Sequence, residues 1–487
     1  MSEREEMRGA KSAKKKTLIS MSAKSFIQVT VLLLVLLAVS VALTYLVPKG
    51  EFGTLADGST NYLDYVRRDD LGGIPLWQGI LAPVLVFFSS DGLTLTMLSL
   101  FLFVISASFQ VMNDVGGIRA LVGAVSERFG DRRGLLLVLM SFLFYCFGSF
   151  LGLFEEMLTM LPIVTALCVL VGYDSFTGFI CCILSCGFGF AGAITNPFTV
   201  LLASEIIGAN PMEHIWLRIV IFIVMFGLLL AFLFAYLRRL EKDPSASLTA
   251  GHDEALRASS DEVLHPEETA PGASRRIKLS YAVFLLAALA LIIVSSLSPV
   301  LRGYTVVILI AYFLIFGLIA GTVACGDFRF VCRSFWRGLT GALPTIVFIA
   351  LAASVKYVFD RGAVLPTIVN SINTLIAGHS PILVALIIYL IVLLLEFFIS
   401  SSTAKAILVM GLLAMVNTGL SKQMLVLLYT FGDGYTNVIF PTSPVLLISL
   451  SMIEVDYFTW VRKSAPLFLA NFLLVLGFIV LGVVTGY

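Results

Sequence analysis

Two stretches of the chain place helix breakers beside oxygen-bearing side chains within otherwise apolar sequence: Gly187–Pro197 (GFGFAGAITNP) and Gly432–Pro444 (GDGYTNVIFPTSP). Glycine permits irregular dihedrals, proline removes a donor and frees a carbonyl, and Thr, Asn, Ser and Asp supply further oxygens. In hydrocarbon such backbone is tolerated only where its polar groups face protein, water, an ion or a solute. Gly187, Gly192 and Pro197, and then Gly432, Gly434, Pro441 and Pro444, are therefore read as breaks in membrane helices rather than incidental kinks. Asp433, Asn196 and Asn437, with nearby freed carbonyls, form a hard-oxygen set suited to Na+. A carboxylate carrying a coupling proton is the alternative, and the sequence does not choose.

Two further polar segments interrupt long apolar runs. One reads GSFLGLFEE over residues 148–156 and the other SSSTAK over 400–405. Each precedes a helix whose first N–H groups favour an anion. Glu155 and Glu156 at one tip and Lys405 at the other are costly at membrane depth unless paired or facing a cavity. They could hold a zwitterion, its carboxylate towards Lys405 or the serines and its ammonium towards Glu155 or Glu156. A Glu–Lys pair locking the tips together is the competing expectation. Glu396 and Lys356 also lie in apolar runs, without a broken backbone beside them, and are read as packing or interfacial charges.

The elements that must position these groups follow from hydropathy and charge. The chain of 487 residues is 59% hydrophobic and 13% charged, with a mean hydropathy of +0.99. Its apolar runs have the length that crosses a bilayer, which excludes a soluble enzyme or a secreted disulfide scaffold. A net charge of +1 provides no basic field for nucleic acid. The expected architecture is an all-α polytopic membrane protein. Crossings are read at 26–47, 93–113, 176–208, 214–237, 279–297, 303–325, 341–358, 423–454 and 464–486. Residues 134–171 and 381–418 are read as re-entrant helix–tip–helix hairpins, and 75–90, 117–130, 327–340 and 361–376 as interfacial pieces. The basic tail 1–25 and the polar segment 241–278, a loosely ordered linker containing His252 and His265, fall on the cytoplasmic side. Arg238, Arg239, Arg275, Arg276, Arg329, Arg333 and Arg337 join them there, as the positive-inside rule requires, and Tyr487 ends outside.

The halves 26–240 and 279–487 correspond. At an offset of 247, Gly172, Gly187, Thr195 and Pro197 match Gly419, Gly434, Thr442 and Pro444; Trp216 and Arg218 match Trp460 and Arg462 at 244. An odd number of crossings between the hairpins makes the repeat inverted, an arrangement that places substrate and ion sites near the midplane.

At these residues the chain resembles a known family. GLFEEMLTMLPIVTALCVLVGYD, GAITNPFTV, FFISSSTAKAIL and FGDGYTNVIFPTSPVLL are similar to the YfcC-type branch of the anaerobic C4-dicarboxylate carrier family, a branch that carries a basic amino-acid antiporter label. More remotely they resemble the superfamily of divalent-anion/sodium symporters and aminobenzoyl-glutamate transporters. The resemblance runs from about residue 26 to the end, the linker excepted. It implies a bacterial cytoplasmic-membrane protein, often a homodimer, whose mobile domain carries the site in an elevator motion. By motif, it implies solute contacts at Glu155, Glu156, Thr195, Asn196, Ser401, Ser402, Thr403, Lys405, Thr442 and Ser443. Ion coupling would fall to Asn196, Asp433, Thr436 and Asn437.

The expected function is secondary active transport of a small charged or zwitterionic solute, most readily an amino acid, with arginine/ornithine-type exchange as one form of it, coupled to Na+ or H+ or by exchange, with no resident cofactor. A C4-dicarboxylate carrier is the nearest alternative. An ATP-driven pump is disfavoured because no P-loop occurs. An intramembrane aspartyl protease would need Tyr173-Asp174 and Gly432-Asp433-Gly434 to converge, but the glycine register is wrong. Seven cysteines lack companions at metal-ligand spacing and read as small apolar filler.

Overall fold

A computed structural model of the chain describes residues 23–55, 60–90, 92–118, 120–121, 132–254, 271–298, 300–301, 304–376 and 378–487. The expectations for the tail 1–22, most of the interfacial piece 117–130, and linker residues 255–270 with His265 lie outside the described residues. The first half runs α1 (Ala23–Leu46), β1 (Gly50–Thr54), β2 (Thr60–Arg67), α2 (Leu76–Leu85), α3 (Gly92–Asp114), α4 (Arg133–Leu151), α5 (Met157–Leu170), α6 (Ser175–Ala191), α7 (Pro197–Ile207) and α8 (Ile215–Lys242). The second half runs α9 (Pro271–Leu297), α10 (Thr305–Cys325), α11 (Phe328–Gly341), α12 (Leu343–Arg361) and α13 (Leu365–Ile376). It continues with α14 (Pro381–Phe398), α15 (Ser402–Met415), α16 (Lys422–Asp433), α17 (Pro444–Met452) and α18 (Tyr457–Thr485). In both halves a long helix, a helix of 14 residues, a broken helix and another long helix follow in that order.

Nine helical segments among the described residues are long and apolar enough to cross a membrane, so the protein is a multi-pass membrane protein. They are not the nine expected. The broken helices α6–α7 and α16–α17 are divided into pieces each too short to qualify, whereas α4 and α14, expected as hairpin arms, have 19 and 18 residues. The partner arms α5 and α15 have 14 residues each. At 1.5 Å per residue they reach about 21 Å, short of the hydrocarbon thickness of about 30 Å.

The fold is mostly helical, with one small sheet among the described residues. Residues of the loop after α1 form an antiparallel hairpin in which Glu51 faces Val66 and Phe52 faces Tyr65. Alternating, aromatic-rich sequence (TNYLDYVR) favours a strand, and a hydropathy scan does not register so short a signal. The hairpin is tied down by Gly50 N–H donating to Ala363 O (3.1 Å), the Tyr65–Thr367 hydroxyl pair (2.8 Å) and Tyr62 OH donating to Ile407 O (3.3 Å).

Two groups of helices pack side by side. In one, α3 lies against α10 and α11. Ser106 Oγ donates to Gly338 O (2.8 Å) and Ser108 Oγ to Phe313 O (2.7 Å). A Cβ on Gly338 would sit 2.6 Å from Ala107 Cα, so the glycine sets that approach. In the other group, α4–α8 and α14–α18 enclose both breaks.

The linker departs from expectation. Residues 243–254 dock onto the start of α6, where Asp253 accepts from Ser175 N (3.1 Å), Ser175 Oγ (2.5 Å) and Thr249 Oγ1 (2.6 Å). Asp174 caps α6 by accepting from Thr177 N (2.8 Å) and receives Ser247 Oγ (2.8 Å) and the Tyr236 hydroxyl. His252, expected to be solvated, is only 18% exposed, with Nδ1 4.0 Å from Glu454 Oε1. Polar composition suggests disorder because capping partners more than seventy residues apart leave no local signature.

Burial pushes the Asp253 carboxyl above its ordinary range, while hydrogen bonds from Ser175 and Thr249 pull it back. An acid whose folded value is raised stabilises the docked linker fully below its ordinary value, and that contribution fades as pH rises through the raised one. A spin label at Ala250 should accordingly become more mobile with rising pH. Asp253→Ala should mobilise it at every pH by removing acceptors worth about 1–3 kcal/mol; unchanged mobility in the variant would refute the docking role.

Candidate functional site

In the second half the tip between α14 and α15 meets the break between α16 and α17. Lys405 sits in the first turn of α15, and side chains there tilt back towards the N-terminus. Its Nζ reaches Asp433 Oδ1 at 2.7 Å, contacts Glu396 Oε2, and lies 3.4 Å from Ile399 O. Lys405 and Asp433 are fully buried and Glu396 is 2% exposed. Ser402 Oγ donates to Asp433 Oδ2 (2.9 Å), and the Tyr429 hydroxyl donates to Ser402 O. Ser401 caps α15, its Oγ accepting from Ala404 N, and Ser401 and Thr403 are exposed.

Two expectations change here. Glu396 is not a packing or interfacial charge but one of three charged groups in direct contact. Nor do the tips lock through a Glu–Lys pair: among the described residues no ion pair or hydrogen bond joins Glu155 or Glu156 to Lys405, because the lysine turns into its own half. Glu155 is exposed at its tip and Glu156 is 8% exposed. The cost of a carboxylate within the apolar run of α14 is the available signal for Glu396.

In the first half, tip and break are stitched together directly. Ser149 Oγ donates to Gly192 O (2.9 Å), Ile194 N and Thr195 N donate to Ser149 O (3.2 and 3.3 Å), and Asn196 Nδ2 donates to Gly148 O (3.0 Å). Asn196 Oδ1 caps α7 by accepting from Phe198 N (2.9 Å) and Thr199 N (3.3 Å), and Thr195 Oγ1 donates to Phe150 O (3.3 Å). The second break is satisfied by its own residues: Asn437 Nδ2 donates to Asp433 O (2.8 Å) and Gly434 O (3.3 Å), and Thr436 Oγ1 to Gly432 O (3.2 Å).

The helix after each break supplies donors that sequence reading misses. Arg218 of α8, 3% exposed, donates to Ala193 O (3.4 Å). On α18, Trp460 Nε1 donates to Val438 O (2.9 Å) and Tyr457 OH to Ile439 O (2.9 Å). The broken helices also touch each other. A Cβ on Gly434 would fall 2.5 Å from Ala191 Cα, and one on Gly187 would strike the Val438 side chain, so both glycines are required by close approach. Gly432 similarly admits Val392 of α14.

Most oxygens at the breaks are therefore committed to the protein. Thr442 Oγ1 and Thr199 Oγ1 are buried without a hydrogen-bond partner, and Ser443 is buried beside Thr442. Those hydroxyls, the exposed tip hydroxyls and Glu155 are what remain for a solute. Asp174 and Asp433 take separate partners and do not form the shared-proton pair that a protease would need. No group of three His, Cys, Asp or Glu side chains among the described residues is arranged to hold a metal ion.

Comparison with known proteins gives a family match over residues 26–484, to the family described as C4-dicarboxylate anaerobic carrier. The Escherichia coli K12 protein named "Putative basic amino acid antiporter YfcC" is 26% identical over 406 residues, 79% of this chain and 78% of that protein. An uncharacterized Haemophilus influenzae protein is 24% identical over 369 residues, 75% of this chain and 71% of its own length. The crystallised YdaH transporter of Alcanivorax borkumensis is similar over 95% of this chain and 98% of that one, with a TM-score of 0.43 and 17% identity.

Lys405→Met strands two buried carboxylates and should destabilise the protein by about 3–5 kcal/mol, far more than Glu396→Gln, which leaves a neutral partner. Thermal unfolding in detergent measures the difference; equal losses would mean that the three groups do not act as one cluster.

Proposed function

The chain belongs to the C4-dicarboxylate anaerobic carrier family, a family of membrane transporters, and from that premise we propose that it is a secondary active transporter of a small cationic or zwitterionic solute, an amino acid of the arginine or ornithine kind. The observation that carries this reading is the commitment of Lys405 to two carboxylates. A side-chain cation would favour a dicarboxylate over a cationic solute, and the tip lysine is already held. Glu155, exposed at the other tip, suits an ammonium or guanidinium group. The name of the E. coli relative points the same way. The family description supports the second reading, a C4-dicarboxylate carrier coupled to Na+ or H+.

The transport cycle we propose is an elevator-like alternating access. The group α4–α8 with α14–α18 moves the two tips and breaks past the group built on α3, α10 and α11. The 14-residue arms α5 and α15, too short to cross, support the re-entrant reading of both hairpins. An inverted repeat, a homodimer, a bacterial inner-membrane location, a cytoplasmic N-terminus and an external Tyr487 complete the proposal.

Uptake and counterflow of labelled arginine, ornithine, aspartate and succinate into proteoliposomes, with and without Na+, test the solute. Saturable counterflow of arginine or ornithine is expected. Saturable succinate flux without either would favour the dicarboxylate reading, and no saturable flux of any small organic ion would overturn both. A cysteine placed at Thr403 should be labelled from either face in turn as the gradients are reversed; labelling from one face alone would contradict the elevator motion.

A further inference from the structure

The cluster of Glu396, Lys405 and Asp433 contains two carboxylates and one ammonium, and none of the three is more than 2% exposed. As side chains alone they leave one negative charge uncompensated. A lone charge at that depth is among the costliest things a membrane protein can hold, so a positive charge must join it for at least part of the cycle.

Space and ligands decide which charge. A bare metal cation needs several oxygens arranged around it. Here Asp433 Oδ2 is covered by Ser402 Oγ, the Asp433 and Gly434 carbonyls by Asn437, and the Ser402 carbonyl by Tyr429. The hydroxyls of Tyr389 and Tyr435 bond to each other at 2.9 Å. A proton needs no such cage.

The charges on the surrounding elements do not supply the missing one. Lys422, at the far end of α16, donates to Gly208 O (3.1 Å). On α12, Lys356 lies 4.0 Å from Asp360, and Arg361 lies over the Tyr357 ring. The charged residues of α18 are Arg462 and Lys463 in its first turns, α13 contains none, α7 has the exposed Glu205, and β2 has the exposed Asp64 and Arg67, which pairs with Asp69. Asp433 pairs with Lys405 Nζ and accepts a hydrogen bond from Ser402 Oγ, whereas Glu396 has the ion pair with Lys405 alone. Neutralising Glu396 therefore sacrifices one ion pair, whereas neutralising Asp433 sacrifices an ion pair and weakens a charge-assisted hydrogen bond.

We propose that this cluster is the proton-coupling site of the transporter and that Glu396 is the group that takes up and releases the proton. Uptake forms an O–H bond on the Glu396 carboxylate with a proton from water on the open side, and release breaks it towards the other side. No electrons move. Lys405 and Asp433 remain a neutral pair throughout. With Glu396 protonated the cluster is neutral and stays closed. With Glu396 ionised, the net negative charge of the cluster acts through Asp433 and Ser402 to favour a cationic solute at the exposed tip of Ser401 and Thr403. One proton then exchanges for one positive charge on the solute. The exchange rests on the transporter reading above, whereas the protonated carboxyl does not.

Two measurements test it. Infrared difference spectra of purified protein across a pH step should contain the carbonyl stretch of a protonated carboxyl, lost in Glu396→Gln and retained in Glu205→Gln, a surface control. In proteoliposomes containing a pH-sensitive dye, wild type should move about one proton per solute charge, and Glu396→Gln none for whatever solute flux it retains. The proposal is overturned if the band survives Glu396→Gln, if the variant's flux still moves protons, or if a Na+ gradient substitutes for the proton gradient in wild type. Wild type with a Glu396-dependent band but no solute flux would sink the transporter reading and spare the protonation.

Discussion

A helix that stops inside hydrocarbon strands N–H and C=O groups that lipid cannot satisfy, and the architecture of this protein follows from answering that demand twice. At the first break the answer comes from the neighbouring tip, where Ser149 and the Gly148 carbonyl are bonded to residues 192–196, and from Arg218. At the second it comes from Asn437 and Thr436 within the break and from Trp460 and Tyr457 on the following helix. Each break thus draws on its own residues or its tip and on the long helix after it. That is the physical content of the correspondence between the halves.

Once the backbone is satisfied, the polar groups left over become informative. Buried threonine hydroxyls without partners, exposed hydroxyls on one tip and an exposed carboxylate on the other are too few to be a structural network. They are suited to a small solute that contributes its own donors and acceptors. The charged cluster lies directly beneath one tip, through Ser402, so solute occupancy and cluster charge can bear on each other within a single hydrogen bond.

The breaks are legible in sequence because glycine, proline, asparagine and threonine have local meaning: they say what the backbone does whatever packs against it. Glu396 is not legible in that way, because its significance is wholly tertiary. Its helix ends two residues on, at Phe398, and its partner Lys405 lies across the tip, a contact that only the fold makes. The docked linker escapes for the same reason, since Asp253 acts by capping a helix far away in sequence. The β-hairpin is lost to a reading tuned to helix-length hydropathy. Chain reach, by contrast, is partly legible. The short arms α5 and α15 show as apolar runs, but which runs cross depends on where each helix ends, and α4 continues to Leu151, through residues that read as part of the tip.

We propose that the solute is held where the tips meet the breaks. A cryo-EM reconstruction in lipid nanodiscs with saturating arginine tests it most directly. Solute density bounded by Glu155, Thr195, Ser401, Thr403 and Thr442 is the predicted result. Density confined elsewhere, such as the apolar groove of about 480 Å3 beside Phe284, Tyr312 and Phe316, with both breaks closed and unchanged, would contradict it.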